Sequence, residues 1–248
     1  MASDLTLDLV RDTVLDLAER EDVAVVWPDA PQRTAMMLGF AAVHHLRAAV
    51  KGQDRPTWDV DAARTYTSVT LPGAGALAGP LGALLAGVPF VGALLGELVK
   101  TAARDTIYVA PAALGDPSGV SLAAAFAHEL GHVRQMRRGL HPLAWCLAYG
   151  SIDPFRAGQD APCYGQSLQV FTAFGASVKE KAARYRQTLP AYDLAGDDLA
   201  LGEALITIAE RSLDQDPPGL FGGPSLDLLR ALERRGVGLP FELPPGVL

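Results

Sequence analysis

Cysteine is scarce in this chain: two residues, Cys146 and Cys163, among 248. That is too few for a disulfide scaffold, and the two lie too far apart for a CxxC metal or redox motif. They can pair in an oxidising compartment, but two buried thiols is the simpler reading. A basic excess is missing too. Lys and Arg number 21 against 28 Asp and Glu, a net charge of −7. Nucleic acid is therefore not an expected partner, since it selects a basic face or stripe. The N-terminus, MASDLTLDLVRD, has acids where a signal peptide needs a basic region, and no apolar stretch follows. No export signal is read, and the cytoplasm is the default compartment. No Ser or Cys nucleophile signature is visible. GAGALAG, residues 73–79, lacks both the Walker lysine and the dinucleotide spacing.

What the chain has in quantity is apolar material, 49% of its residues, enough for a sizeable core in a single domain spanning 1–248. One run, 71–99, carries no charge before Glu97 and is long enough to cross a bilayer. Its three prolines, seven glycines and small residues, with no aromatic belt or flanking lysines, argue against membrane insertion. Buried helices or a packed glycine-rich insertion are expected there.

Apolar spacing predicts a helix over 4–20 capped by Ser3, with Leu7, Val10, Val14 and Leu17 on one face. Val23 to Trp27 reads as a strand, 32–50 as a helix ended by Gly52, and Arg64 to Leu71 and Thr106 to Val109 as strands. A helix capped by Ser118 or Ser121 then runs to about Arg138, with Arg134, Arg137 and Arg138 complementing its dipole and Gly139 at the C′ position. Pro142, Pro154 and Pro162 mark an irregular stretch, and helices follow at 165–188, 198–213 and 225–235, before an extended tail, LPFELPPGVL. Helices outnumber strands, so the expected class is α+β, rich in helix.

The chemistry is concentrated in AFAHELGHVRQ, residues 125–135. His128 and His132 stand four apart in a helical stretch, so both imidazoles project from one face and can bind one metal ion. Glu129 follows the first of them, placed to take a proton from an activated water and pass it to a leaving amine. His44 and His45 are adjacent and point in different directions, so they cannot chelate as a pair. His141 reads as a loop histidine.

HELGH resembles the HExxH signature of the zincin metallopeptidases. That resemblance implies a small twisted sheet packed on an active-site helix, with Zn2+ held by His128 and His132 and Glu129 as general base. It also implies an edge strand before the helix that lines the cleft, a place TIYV would take. There Tyr108 and Val109 can pair with an extended peptide. Residues 1–100 would form an N-terminal part able to cover the cleft, and 101–248 the metal-site part.

A catalytic zinc site needs a third protein ligand. The HExxHxxGxxH extension is absent, and the first Glu after His132 is Glu180. AGQDAPCYGQSLQ, residues 157–169, resembles the GTxDxxYG motif of the aspzincins, the deuterolysin-like and peptidyl-Lys metallopeptidases. On that match Asp160 is the third ligand and Tyr164 stabilises the developing oxyanion, and Gly165-Gln166-Ser167 also look like the residues that follow the motif. The family's Thr is missing, however, and three residues rather than two separate Asp160 from Tyr164. Asp153, Cys163, Gln166 and Glu203 stay open as ligands. So does a loop reading in which Asp160 is a cap or solvated. If Gln166 stands where a ligand Glu belongs, the site is weakened.

The expectation is a zinc-dependent hydrolase cleaving peptide bonds in a protein or peptide substrate. The alternative is a catalytically silent structural or adaptor subunit of a larger assembly, for which the 71–99 segment would supply an oligomer interface.

Overall fold

A computed structural model describes residues 5–30, 68–71, 104–139, 144–145, 148–149, 152–192, 194, 196–215 and 222–243. The predicted 32–50 helix and nearly all of the 71–99 segment lie outside these residues, as do Ser3, His44, His45, His141 and Cys146.

Strands β1 (Val23–Val26), β2 (Val69–Leu71) and β3 (Asp105–Tyr108) make a three-stranded sheet in the order β1-β3-β2. β1 runs parallel to β3, with Val25 opposite Ile107, and β2 runs antiparallel to it, with Thr70 opposite Ile107. The TIYV strand is thus central among the described residues, not an edge. Tyr108 is paired with Val26 and Val69, and the Val109 amide donates to the Val26 carbonyl at 2.9 Å. The backbone expected to receive a peptide is already engaged in the sheet. β1 and β2 are the outer strands of the described sheet.

Helix α1 (Leu7–Arg20) buries Val10, Thr13, Val14, Leu17 and Ala18, close to the face predicted from its spacing. Its cap is Thr6, whose hydroxyl accepts from the Leu9 amide, and not Ser3. Helix α2 (Val120–Arg138) begins after Gly119, not at a serine cap. Asp116 instead gathers Ser118 and Ser121, accepting from both amides and both hydroxyls. Gly119 has φ +75°, and a Cβ there would lie 2.8 Å from a Val10 methyl, so glycine lets α1 approach the start of α2. At the other end Gly139 has φ −118°, so the left-handed cap expected there is not formed.

From Asp153 onward, the stretch read as irregular is a helix; Pro142 lies outside the described residues. Helix α3 (Asp153–Ala173) starts with Pro154 in its first turn, where a missing N–H costs nothing, and continues through Pro162. Packing against α2 on one face and α5 on the other outweighs that proline's lost hydrogen bond. The single helix expected at 165–188 is two, broken by Gly175 at φ +81° and restarted at Ser177, which caps α4 (Val178–Thr188). Helices α5 (Gly196–Gln215) and α6 (Pro224–Arg234) complete the described elements.

Two apolar cores result among the described residues. One joins α1, β1, β3, α2 and α6 through Val14, Ile107, Phe126, Leu130 and Leu228. The other joins α3, α4 and α5 through Ala161, Leu168, Ala182, Ile206 and Leu213. Thus α2 and α3, the two helices with the candidate ligands, cross between the cores. The class is α+β and helix-rich. No helix among the described residues is long and apolar enough to cross a membrane.

Candidate metal centre

Helix α2 is pinned at three places before any site residue is considered. Arg134 reaches Glu21 and Asp227, joining it to the end of α1 and to α6. Arg137 donates to the Asp105 carboxylate at 2.7 Å and to the Glu21 carbonyl at 2.6 Å, tying its C-terminal turn to the sheet. At its centre Gly131 lets α3 come close: a Cβ at that position would meet Cys163 Sγ at 2.8 Å. Ser167 of α3 donates to the Ala124 carbonyl at 2.8 Å, holding the same crossing one turn further on.

That crossing brings Asp160 of α3 onto the two histidines of α2. His128 Nε2 and His132 Nε2 are 3.1 Å apart. Asp160 Oδ1 lies 3.2 Å from His132 Nε2 and 3.9 Å from His128 Nε2. One donor atom from each residue lies within 4.8 Å of the others, so His128, His132 and Asp160 form a group that could hold a metal ion. Asp160 Oδ2 is buried with no hydrogen-bond partner among the described residues. A buried carboxylate oxygen without a donor is costly unless a cation meets it. Two imidazole nitrogens and one carboxylate oxygen are also a donor set suited to zinc, so the residues fit such an ion.

The rings are oriented from behind. His132 Nδ1 is 3.0 Å from Gln135 Oε1, and the Gln135 amide nitrogen donates to the Gln159 carbonyl at 2.9 Å. In its neutral form, with Nδ1–H donating to Gln135, His132 turns its Nε2 lone pair to the cluster. His128 is hydrogen-bonded to the backbone of Cys163. Burial and the neighbouring His132 push its pKa down to about 3, so it is a neutral imidazole, the ligand form. Burial opposes a charge on His132, but Cys163 and Asp160 beside it raise its pKa well above the ordinary value. Asp160 is held below its usual range: burial works against the carboxylate, and the His132, His128 and Tyr149 contacts prevail.

Glu129 is buried, and the edge strand reaches it. Thr70 Oγ1 of β2 lies 2.8 Å from Glu129 Oε2 and 3.0 Å from its carbonyl oxygen. Burial raises this carboxyl to about 7, against the opposing influence of His132 and Thr70. That is the range in which one group both accepts and releases a proton near neutrality. Tyr164 lies one turn after Asp160 on α3, its ring 4.8 Å from that of His128 and 4.4 Å from that of Tyr185. The extra residue between Asp160 and Tyr164 does no geometric harm, because i+3 and i+4 both share a helix face.

The other ligand candidates are directed elsewhere. Gln166 Oε1 accepts from the Ser225 amide and hydroxyl at 3.0 and 2.7 Å. Asp153 pairs with Arg156, and Glu203 and Glu180 are exposed. Cys163 is buried with Sγ 3.5 Å from His132 Nδ1, on the side of the ring away from the cluster. Asp160 is neither a loop cap nor solvated.

Four neighbours escaped the sequence reading: Thr70, Gln135, Trp145 and Tyr149. Gln135 follows His132 by three residues, a helical spacing that signals contact. The others are joined to the site by tertiary structure alone. Searches against family models, curated proteins and solved structures find no match for this chain.

Proposed function

We propose that this protein is a zincin-like, zinc-dependent peptidase, with His128, His132 and Asp160 as metal ligands and Glu129 as general base. The observation that carries the reading is the convergence of His128 Nε2, His132 Nε2 and Asp160 Oδ1, beside a buried glutamate one residue from the first histidine. A small sheet packed against the HExxH helix agrees with it. So does the likeness of the Asp160–Tyr164 segment to the aspzincin motif. A zinc ion held by His128, His132 and Asp160 would supply Lewis acidity, the means to polarise a scissile carbonyl and to make a water acidic enough to be deprotonated near neutral pH.

The chain's own residues do the rest. Glu129 takes the proton from the attacking water and delivers it to the leaving amine. Thr70 keeps the Glu129 carboxylate from rotating away. Tyr164 donates its hydroxyl to the oxygen on which negative charge develops. The substrate class is an unfolded protein or peptide able to lie along the cluster in extended form.

Elemental analysis of purified protein, followed by casein or peptide cleavage, tests this. About one zinc per chain is expected, with Glu129→Gln retaining the metal and losing at least roughly 100-fold in rate. Protein that takes up no zinc even in excess metal refutes the proposal. Zinc-loaded protein that cleaves nothing refutes the peptidase and leaves the silent structural subunit.

A further inference from the structure

Tyr149 lies closer to the candidate ligand Asp160 than either histidine does. Its hydroxyl lies 2.6 Å from Asp160 Oδ1, the oxygen that faces both histidines. The phenol is the only partner of the two with a proton to give, so it donates and the carboxylate accepts. The ring is held as well: Trp145 stacks on it with centroids 4.9 Å apart and planes at 14°. Trp145 also lies edge-on to the His132 ring, with centroids 5.8 Å apart, and points its indole N–H at Gln159 Oε1, 3.4 Å away. Tyr149 itself stands 5.5 Å from the His132 ring. Two aromatic side chains from the segment before α3 therefore touch one imidazole ligand, the carboxylate ligand and the residue preceding that carboxylate.

This arrangement decides which lone pairs the carboxylate has left. A donor on Oδ1 stops rotation about the Cβ–Cγ bond, and Oδ2 is left buried with no partner among the described residues. A carboxylate held in this way presents a fixed plane to a cation. Ligating groups oriented by such outer partners bind metal more tightly than free ones.

We propose that Tyr149, braced by Trp145, is a positioning residue that orients Asp160 for metal binding. The inference rests on the metal-centre reading, and Tyr149 acts through Asp160 without touching substrate. Tyr149→Phe removes one oxygen and keeps the ring stack, so the brace survives while the hydrogen bond is lost.

The test is zinc affinity of the full chain, measured by competition with a chromophoric chelator at neutral pH, with circular dichroism as the check on folding. Tyr149→Phe is expected to weaken zinc binding about 10–100-fold. In an Asp160→Asn background the same change is expected to add no more than about twofold, because the group it orients no longer carries the charge. The Co2+-substituted protein adds a spectroscopic reading: its visible bands are expected to shift in Tyr149→Phe. Trp145→Phe, which keeps the Tyr149 hydroxyl and removes part of its support, is expected to fall between wild type and Tyr149→Phe. It serves as the variant to measure if Tyr149→Phe does not fold. A Tyr149→Phe affinity within about twofold of wild type overturns the inference and leaves the metal centre standing. An equal loss in the Asp160→Asn background overturns it too, since Tyr149 would then act by some other route. Wild-type protein that binds no zinc removes the metal centre itself, and the inference with it.

Discussion

Replacing Gly131 with alanine probes the crossing on which the whole cluster depends. A Cβ there would lie 2.8 Å from Cys163 Sγ and 3.7 Å from Cys163 Cβ. Only the first contact is too close, so the sulfur alone carries the conflict. Overpacking of this kind costs about 1–3 kcal/mol. Alanine in a helix interior returns about 1 kcal/mol relative to glycine. The single variant should therefore lose between about 0 and 2 kcal/mol, the sum of those two effects. Cys163→Ala alone should lose about 1 kcal/mol, the value of one buried methylene-sized group. In the double variant the clash is gone and the propensity gain remains, so stability should return close to that of wild type. The non-additivity, about 1–3 kcal/mol, is the signature of the contact. Urea denaturation followed by circular dichroism measures all four proteins. Single-variant effects that add within about 0.5 kcal/mol would refute the reasoning, because α2 and α3 could then separate without penalty.

Thr70→Val removes the hydroxyl that holds Glu129; under the proposed peptidase reading, kcat of the zinc-loaded protein should fall roughly 10–100-fold while zinc affinity holds, and Thr70→Ser should restore most of it. Steady-state peptide kinetics beside chelator competition separate the two quantities, and an unchanged kcat in Thr70→Val would remove Thr70 from the site. Arg134→Met cuts the bonds to both Glu21 and Asp227. Since Asp227 and Glu21 are only partly buried and so screened by solvent, the loss should be about 1 kcal/mol, shrinking in high salt; a urea midpoint independent of salt would argue against it. Asp116 lies below its ordinary value of 3.8: burial opposes the charge, and the bonds from Ser118 and Ser121 prevail. A carboxylate lowered on folding stabilises the protein above that value and ceases to do so as pH falls through its folded pKa. Asp116→Ala should accordingly be less stable than wild type at pH 7, with the gap closing below pH 3.8. Thermal melts across that range check the sign, and a gap that widens in acid would contradict it.

Local periodicity carried much of the fold. The spacing of Val10, Val14 and Leu17 marked the buried face of α1, and short β-branched runs marked β1 and β3. The prolines of α3 misled because their cost is read locally, whereas the burial that offsets it comes from α2 and α5. Ser118 and Ser121 looked like helix caps because serine is a good one. In the structure both bond to Asp116, a competition between partners that residue type alone does not settle.

The sequence by itself determined what a single helix can encode. His128 and His132 share a face because 3.6 residues make a turn, whereas Asp160 and Tyr164 share one only because packing keeps α3 helical through Pro162. Only the tertiary structure decided that these two faces meet, that Gln166 turns to Ser225, and that Thr70 and Tyr149 reach Glu129 and Asp160. Thr70 is 59 residues from Glu129, and Tyr149 is 11 from Asp160. No backbone period spans either gap. Those contacts exist because Gly131 lets two helices cross closely and because the sheet delivers β2 against α2, and both are properties of packing.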